Sequence, residues 1–217
     1  MSKQTIETFF AGKNLVVPSY QRDYAWKERN IDELFADVEE ALEVGGHYLG
    51  TFILSQQSTS APVFVVDGQQ RLTTLTMLLD ALIGSLENAD IRTVMRSTYI
   101  QHPLTGYKFQ VLGENKDFFE AMLAKQNPEP TSAGQTRLSK AYQHIRLRVQ
   151  DLVKQGGQPL LLQWLTTLTR MEVLEFIERD EGKAGLRSRQ AEHGLEIDRQ
   201  IDGQRHHGAD DEEVGCR

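Results

Sequence analysis

The stretch that most constrains the fold is VVDGQQRLTTLTMLL, residues 65–79, in which a short apolar run meets Asp67-Gly68 and a helix-forming run follows. Valine favours a strand before the glycine, whereas the leucines after it recur at helical spacing. The pattern therefore predicts a strand that turns through Asp-Gly directly into a helix. The apolar positions that define this helix face are Leu72, Leu75, Leu78, Leu79, Leu82 and Ile83.

This junction has the chemistry of a phosphate site. The first turn of a helix carries unpaired backbone N–H groups, and together with the helix dipole they favour an anion. Gly68 allows a phosphate to approach the backbone closely, and Arg71 can hold its oxygens with a bidentate fork. Neutral hydrogen-bond donors follow at Gln69, Gln70, Thr73 and Thr74.

A structural interpretation of the same residues stays open. Asp67 is a good N-cap residue, Gly68 could serve the turn alone, and Arg71 could be a solvated side chain. A single glycine is also weaker support for phosphate binding than a complete P-loop.

A second stretch, VPSYQRDYAWKERNIDELF at residues 17–35, interleaves aromatic rings with cations immediately before a predicted helix. Such a combination can stack bases and hold phosphates. We expect Trp26 to pack at the helix entry, whereas a packing role does not readily account for Gln21 and Arg22. Because each polar cluster borders a predicted strand, we expect Gln21 and Arg22 to face the same cavity as residues 69–71.

The rest of the pattern predicts an α+β fold, a small mixed sheet with helices followed by a mainly helical lobe. A short helix opens the chain, LVVP is a strand, and residues 28–43 form an amphipathic helix. HYLGTFIL and APVFVV form a hairpin. After residue 100 we expect a strand at YKFQVL, helices at NKDFFEAML, residues 138–152 and PLLLQWLTTL, and a returning strand at MEVLEFIE.

Composition predicts three regions: residues 1–100, residues 101–180, and a disordered tail at residues 181–217. The tail has fifteen charged residues and no aromatic one, so it cannot bury enough apolar surface to offset the cost of ordering it. It also repeats part of the junction motif as IDGQR, without a strand before it or a periodic helix after it.

Charge and cysteine content exclude several classes of protein. A net charge of −7 argues against a broad basic surface, so any contact with nucleic acid is expected to be local. The single Cys216 excludes an internal disulfide and a cysteine-based metal cage. The sequence has neither an apolar run long enough for a membrane span nor a signal-peptide pattern at its start, which predicts a cytoplasmic protein without membrane contact.

PSYQRDYAW, HYLGTFIL and VDGQQRLTTLTMLL, in this order and spacing, resemble the N-terminal domain of GmrSD-type, modification-dependent restriction endonucleases. The later segments YKFQVLGENKDFFEAML, RLSKAYQHI and RMEVLEFIERDEGKA are similar to weaker blocks of the same family, so the resemblance covers about residues 5–184. It implies a fold similar to ParB and sulfiredoxin for residues 1–100.

The resemblance also implies a nucleotide-binding, NTP-hydrolysing module that acts on modified phage DNA with a nuclease domain. The nucleotide could be GTP, CTP, UTP or ATP, with Mg²⁺ as the expected metal, although no metal cage is visible in the sequence. Expected partners are DNA in the full-length system and either a second copy of the chain or a nuclease subunit. The implied catalytic residues are Asp67, Gln70 and Arg71, and the implied nucleotide-binding residues are Tyr20, Gln21, Arg22, Asp67, Gly68, Gln69, Gln70, Arg71 and Thr73. Tyr20, Gln21 and Arg22 would either line this pocket or recognise DNA.

Two departures from the family pattern keep other functions open. The resemblance leads one to expect a Phe-Glu-x-Leu-Asn type helix and an HNH nuclease domain after Ala184. The sequence contains neither, which suggests a frameshift or a truncated gene product. The alternatives are therefore a ParB-like DNA-binding or sensor module without catalysis, and an inactive gene fragment.

Overall fold

The computed structural model of the protein describes residues 1–179. The first part of the chain alternates short strands with helices. Its elements are β1 (Ser2–Thr5), α1 (Ile6–Phe10), β2 (Leu15–Val17), α2 (Glu28–Val44), β3 (Tyr48–Gln56) and β4 (Val63–Asp67).

The second part is mostly helical. Its elements are α3 (Gln69–Gly84), α4 (Ala89–Tyr99), β5 (Gln101–His102), β6 (Gly106–Tyr107), β7 (Phe109–Val111), a 3₁₀ turn (Gly113–Asn115), α5 (Lys116–Leu123), α6 (Ala133–Arg170) and β8 (Glu172–Arg179). The structure thus confirms the α+β class, the mixed sheet and the helical later region.

Six strands form one mixed sheet in the order β1-β8-β3-β4-β2-β7. β4 is antiparallel to β3, while β2 is parallel to both β4 and β7. β8 returns from the end of the helical part to pair antiparallel with β1, as predicted for MEVLEFIE. The junction helix α3 therefore leaves the sheet from a strand, β4, that has neighbours on both sides.

Helix α3 is the central element of the core. Its residues from Leu72 to Ile83 are all buried, and it packs against α4 and α6, while α2 packs against α6 from another side. Aromatic contacts join these layers: the ring centroids of Phe35 and Trp164 lie 5.4 Å apart. Because α3 is enclosed, its orientation is set by packing, and this fixes where its first turn lies.

The long helix α6 contains a break that the two separate helical patterns predicted. Gly157 has φ 60° and ψ −150°, and Pro159 follows two residues later. A glycine that ends one helix and a proline that opens the next are the usual asymmetry of helix ends. The predicted stripe at residues 138–152 and the PLLLQWLTTL helix are therefore both confirmed, with the break between them.

Three local features differ from the sequence prediction. The YKFQVL segment is divided: Tyr107 belongs to the small β5–β6 hairpin and Phe109–Val111 to the main sheet. Helix α4 was missed because Tyr99 is its one fully buried residue, although Asn88 caps it by accepting from two backbone N–H groups at 3.0 Å. Strand β1 was missed because SKQT is polar, as suits a strand at the sheet edge.

None of the helices within residues 1–179 combines the length and the apolar character that a membrane span needs. The predicted tail at residues 181–217 lies outside the described residues. The predicted division near residue 100 stays a prediction.

Candidate functional site

The turn between β4 and α3 is made by Gly68, which has φ 94° and ψ 5°. This left-handed conformation is rare for residues with a side chain. A Cβ atom at Gly68 would also lie 2.4 Å from Cδ1 of Phe52, which is completely buried. Both the backbone and the neighbouring ring therefore require glycine at this position.

The start of α3 does not have the N-cap that the structural interpretation of Asp67 supposed. Gly68 occupies the N-cap position, no side-chain hydrogen bond caps the helix there, and Asp67 is an exposed residue at the end of β4. The first intrahelical bond runs from the Leu72 N–H to the Gly68 carbonyl at 3.0 Å. The first-turn N–H groups thus keep their capacity to bind an external acceptor.

A groove of about 560 Å³ opens over this helix start. Its lining combines the junction with the second polar stretch, which confirms that Gln21 and Arg22 share a cavity with residues 69–71. The lining residues are Gln21, Arg22, Trp26, Thr51, Asp67, Gly68, Gln69, Gln70 and Arg71.

The glutamine amides hold the two halves of the groove together. Gln70 accepts from the Ala25 N–H at 2.7 Å and donates to the Asp23 carbonyl at 3.1 Å. Gln69 donates to the Arg22 carbonyl at 3.1 Å. Both glutamines are buried, so these bonds are shielded from water. The amides thus fix the loop at residues 22–25 against the helix start.

A further hydrogen bond runs in the opposite direction, from a side chain of the loop to the backbone of β4. The Gln21 amide donates to the Val66 carbonyl of β4 at 3.0 Å. Together the three glutamines tie the loop to both sides of the β4–α3 junction. The backbone that carries Arg22 is therefore positioned by the same motif that makes the turn.

The two groove arginines have no protein partner in the described part of the chain: neither guanidinium forms a hydrogen bond or an ion pair there. The half-buried Arg71 lies over β3, where a Cβ on Gly50 would be 2.4 Å from its Nη1 atom, and Arg22 is exposed. Arginines in proteins commonly pair with carboxylates, so two unpaired ones beside a helix start make the groove attractive to an anion. Asp67 contributes the one carboxylate of the described lining.

Several sequence-predicted residues lie outside the groove lining. The Tyr20 side chain is 77% exposed, and the Thr73 hydroxyl is buried and donates to the Gln69 carbonyl at 2.8 Å. Thr74 is likewise buried, with its hydroxyl donating to the Gln70 carbonyl at 2.9 Å. The structure thus places both threonines in the helix packing.

Tyr24 anchors the loop in the core. Its hydroxyl is 2.9 Å from Oγ1 of Thr74, and burial raises the pKa of Tyr24 to about 12, while the hydrogen bond to Thr74 acts in the opposite direction. The ring is 5% exposed. Trp26, in contrast, is half-buried, and it both packs against the hydrophobic core and lines the groove.

Two anchoring residues were missed by sequence reasoning. Arg137 on α6 donates from Nε to the Tyr24 carbonyl at 2.6 Å, and Asn115 donates to Oδ1 of Asp23 at 2.9 Å. Arg137 lies 113 positions from its partner. No local pattern could have indicated these contacts, because they depend on how α6 packs against the loop.

Acidic groups on α2 lie near the edge of this region. His47 contacts Asp37 at 3.5 Å and Glu40 at 3.8 Å. Burial raises the pKa of the Asp37 carboxyl, and the charges of His47 and Arg71 oppose that rise. His47 is therefore engaged with carboxylates of α2.

Metal-binding groups are sparse in the described chain. Within residues 1–179 no group of three or more His, Cys, Asp or Glu side chains lies close enough together to hold a metal ion. A Mg²⁺ ion in the groove would therefore depend on Asp67 and on oxygens brought by a ligand, which is how Mg²⁺ is commonly bound with phosphates.

Comparison with known protein families shows which family the sequence matches. Residues 6–186 match the sequence model of the family described as GmrSD restriction endonuclease, N-terminal domain. No curated protein matches the chain.

Proposed function

The chain belongs to the family of GmrSD restriction endonuclease N-terminal domains, and we propose that, as a module of a restriction and phage-defence system, it binds a nucleoside triphosphate in the groove at the start of α3. The family match supports the restriction module. Nucleotide binding is our proposal, and it depends on the chemistry of the groove.

One observation carries the proposal: Arg22 and Arg71, both without a protein partner in the described chain, face the same groove as an uncapped helix start. Two guanidinium groups and first-turn N–H groups together match the several negative oxygens of a polyphosphate. The groove volume of about 560 Å³ is within the usual range for small-molecule sites.

Each lining residue has a distinct role in this proposal. Arg71 binds phosphate oxygens beside the helix start, and Gly68 lets them approach the backbone. Arg22 binds from the opposite loop. Trp26 offers an aromatic face to the base. Gln70 acts as a positioning residue, because both atoms of its amide already contact the loop backbone.

Hydrolysis would use Asp67. A carboxylate in a phosphate groove repels the ligand unless a cation lies between them, so Asp67 fits a Mg²⁺ ion that also contacts phosphate oxygens. The metal would neutralise charge on the phosphates. Asp67 is also the one lining carboxylate of the described chain that can orient an attacking water.

The test is calorimetric titration of the full chain with GTP, CTP, UTP and ATP in the presence of Mg²⁺. We expect saturable binding of at least one nucleotide. Arg71→Gln removes a charge-assisted contact worth about 1.5–3 kcal/mol, so we expect the Kd to rise about 10- to 150-fold. Phosphate release, measured separately, tests hydrolysis.

A matched control is Arg29→Gln, which removes an exposed arginine outside the groove lining, paired with Glu33 at 3.0 Å. It should leave nucleotide affinity unchanged. Equal binding by wild type and Arg71→Gln, with both proteins folded, would place the nucleotide elsewhere, and absence of binding for all four nucleotides would refute the proposed function.

A further inference from the structure

A second polar cleft lies at the opposite end of α3 from the groove. It is formed by three adjoining cavities of about 460, 110 and 300 Å³. The first two share Arg146 and the last two share Lys125. We call this surface the basic cleft; it is bounded by the end of α3, by α4, by the turn after α5 and by α6.

Cations dominate the lining of the basic cleft. The side chains of Lys125 and Arg146 form no hydrogen bond or ion pair among residues 1–179, and the Arg92 side chain donates to the Leu86 carbonyl at 2.6 Å. The Arg146 guanidinium lies 5.9 Å from the centroid of the Tyr142 ring. The carboxylate of the described lining is Asp80, which is fully buried and is bound by Arg96 and by the Tyr142 hydroxyl. The net local charge is therefore positive on a chain of net charge −7.

The backbone of the turn after α5 is unusual. Lys125 has φ 60° and Asn127 has φ 47°. Lys125 follows the end of α5, and the bonds from its N–H to Met122 and from the Gln126 N–H to Ala121, both 3.0 Å, close the helix end. Glycine is the usual residue at a left-handed helix end. A lysine there keeps a strained conformation, and strain of this kind is concentrated at functional sites.

The remaining lining indicates which ligand would fit. Neutral amide and hydroxyl groups surround the cations, at Asn127, Ser139, Gln143 and Gln150. Tyr142 is the one aromatic ring in the described lining, and it is buried. The cleft thus offers donors to phosphate oxygens and no exposed ring on which a base could stack.

We propose that the basic cleft binds backbone phosphates of a nucleic acid through Lys125 and Arg146, with Arg92 at its edge. Contacts of this kind position a nucleic acid without reading its sequence. The cations of the basic cleft form a small cluster on a chain whose net charge is negative. The expected contact therefore covers only a short length of a duplex. The site is separate from the groove and does not depend on nucleotide binding there.

Lys125→Gly separates a structural role of Lys125 from a ligand-binding role. The first predicts a loss of stability, whereas the second predicts a loss of DNA affinity with stability retained. Glycine relieves the left-handed strain, so the melting temperature should stay equal or rise. The cation is nevertheless lost. Arg146→Gln removes the second charge from an exposed position on α6. Lys140→Gln removes a charge from the same helix outside the cleft lining and is the matched control.

The measurement is fluorescence anisotropy of a short labelled DNA duplex titrated with the full chain at several salt concentrations. Each lost phosphate contact should reduce the slope of log affinity against log salt by about 1. We expect reductions for Lys125→Gly and Arg146→Gln, about twice as large in the double variant, and none for Lys140→Gln. Nucleotide titrations of the groove should be unaffected.

Three outcomes of the anisotropy measurement would overturn the proposal. These are absence of DNA binding by the wild type, salt slopes that are the same for wild type and the double variant, and an equal loss for Lys140→Gln. A parallel titration with inorganic phosphate distinguishes binding of a nucleic-acid backbone from binding of a free phosphate ion. If phosphate binding depends on Lys125 and Arg146 while DNA binding does not, the cleft is a small-anion site and the nucleic-acid proposal is wrong.

Discussion

Gly68 lies so close to the ring of Phe52 that a Cβ atom on the glycine would be 2.4 Å from Cδ1. Phe52 is fully buried on β3, and its ring centroid lies 5.0 Å from that of Phe9 on α1. The ring therefore has packed neighbours on more than one side. The turn that shapes the groove is thus coupled directly to the hydrophobic core.

Gly68→Ala should consequently destabilise the protein through two contributions. The left-handed backbone costs about 1–2 kcal/mol for a residue with a side chain, and overpacking against Phe52 adds about 1–3 kcal/mol. Gly12→Ala is the control, because Gly12 has φ 67° with no atom within 4 Å of its Cβ position. Urea denaturation should show a larger loss for Gly68→Ala, and equal losses would mean that Phe52 does not resist the added methyl.

Gln70→Met tests the loop anchor. It keeps the side-chain length but removes both bonds to the loop at Ala25 and Asp23, so we expect a loss of about 1–3 kcal/mol in the free energy of unfolding. Gln56→Met is the comparison, since Gln56 makes one bond, to Ala61, away from the groove. We also expect Gln70→Met to make the loop at residues 22–25 more sensitive to proteolysis, and an unchanged cleavage pattern would contradict the anchoring role.

Asp67→Asn tests the metal dependence of nucleotide binding. In wild type the Asp67 carboxylate should repel phosphates in the absence of Mg²⁺, so the metal should strengthen binding. The variant lacks the charge and should bind nucleotide with less dependence on Mg²⁺, while phosphate release falls. Calorimetry with Mg²⁺ and with a chelator measures both states, and an identical metal dependence in the two proteins would exclude Asp67 from the metal's surroundings.

Arg96→Met tests the ion pair between Arg96 on α4 and the buried Asp80 on α3. Asp80 is completely buried and depends on Arg96 and Tyr142, so removal of the arginine leaves a buried carboxylate without its cation. A loss of about 3–5 kcal/mol is expected. The double variant Asp80→Leu with Arg96→Met should recover much of it, because no buried charge remains. Thermal denaturation of the single and the double variant measures both effects. A single variant as stable as wild type would contradict this expectation.

Local patterns predicted most of the chain because they record short-range preferences. The leucine spacing after Gly68 predicted α3, the aromatic and β-branched residues of HYLGTFIL and APVFVV predicted the hairpin, and the apolar MEVLEFIE segment predicted β8. The sequence did not predict β1 and α4, because these elements bury few apolar residues and their hydrophobic patterns are weak. The DGQQR junction was likewise visible, since an Asp-Gly turn from a strand into a helix is a recognisable local pattern.

Long-range contacts account for the rest. The sequence by itself determined most of the strands and helices, the α+β class and the polar residues at the β4–α3 junction. Only the tertiary structure decided that the amides of Gln69 and Gln70 bind a loop 45 to 47 positions away, that Thr73 is enclosed in helix packing, and that Lys125 and Arg146 share a cleft. The physical reason is that periodicity specifies which face of an element is apolar, whereas the partner of a polar atom depends on which elements the packed core brings together.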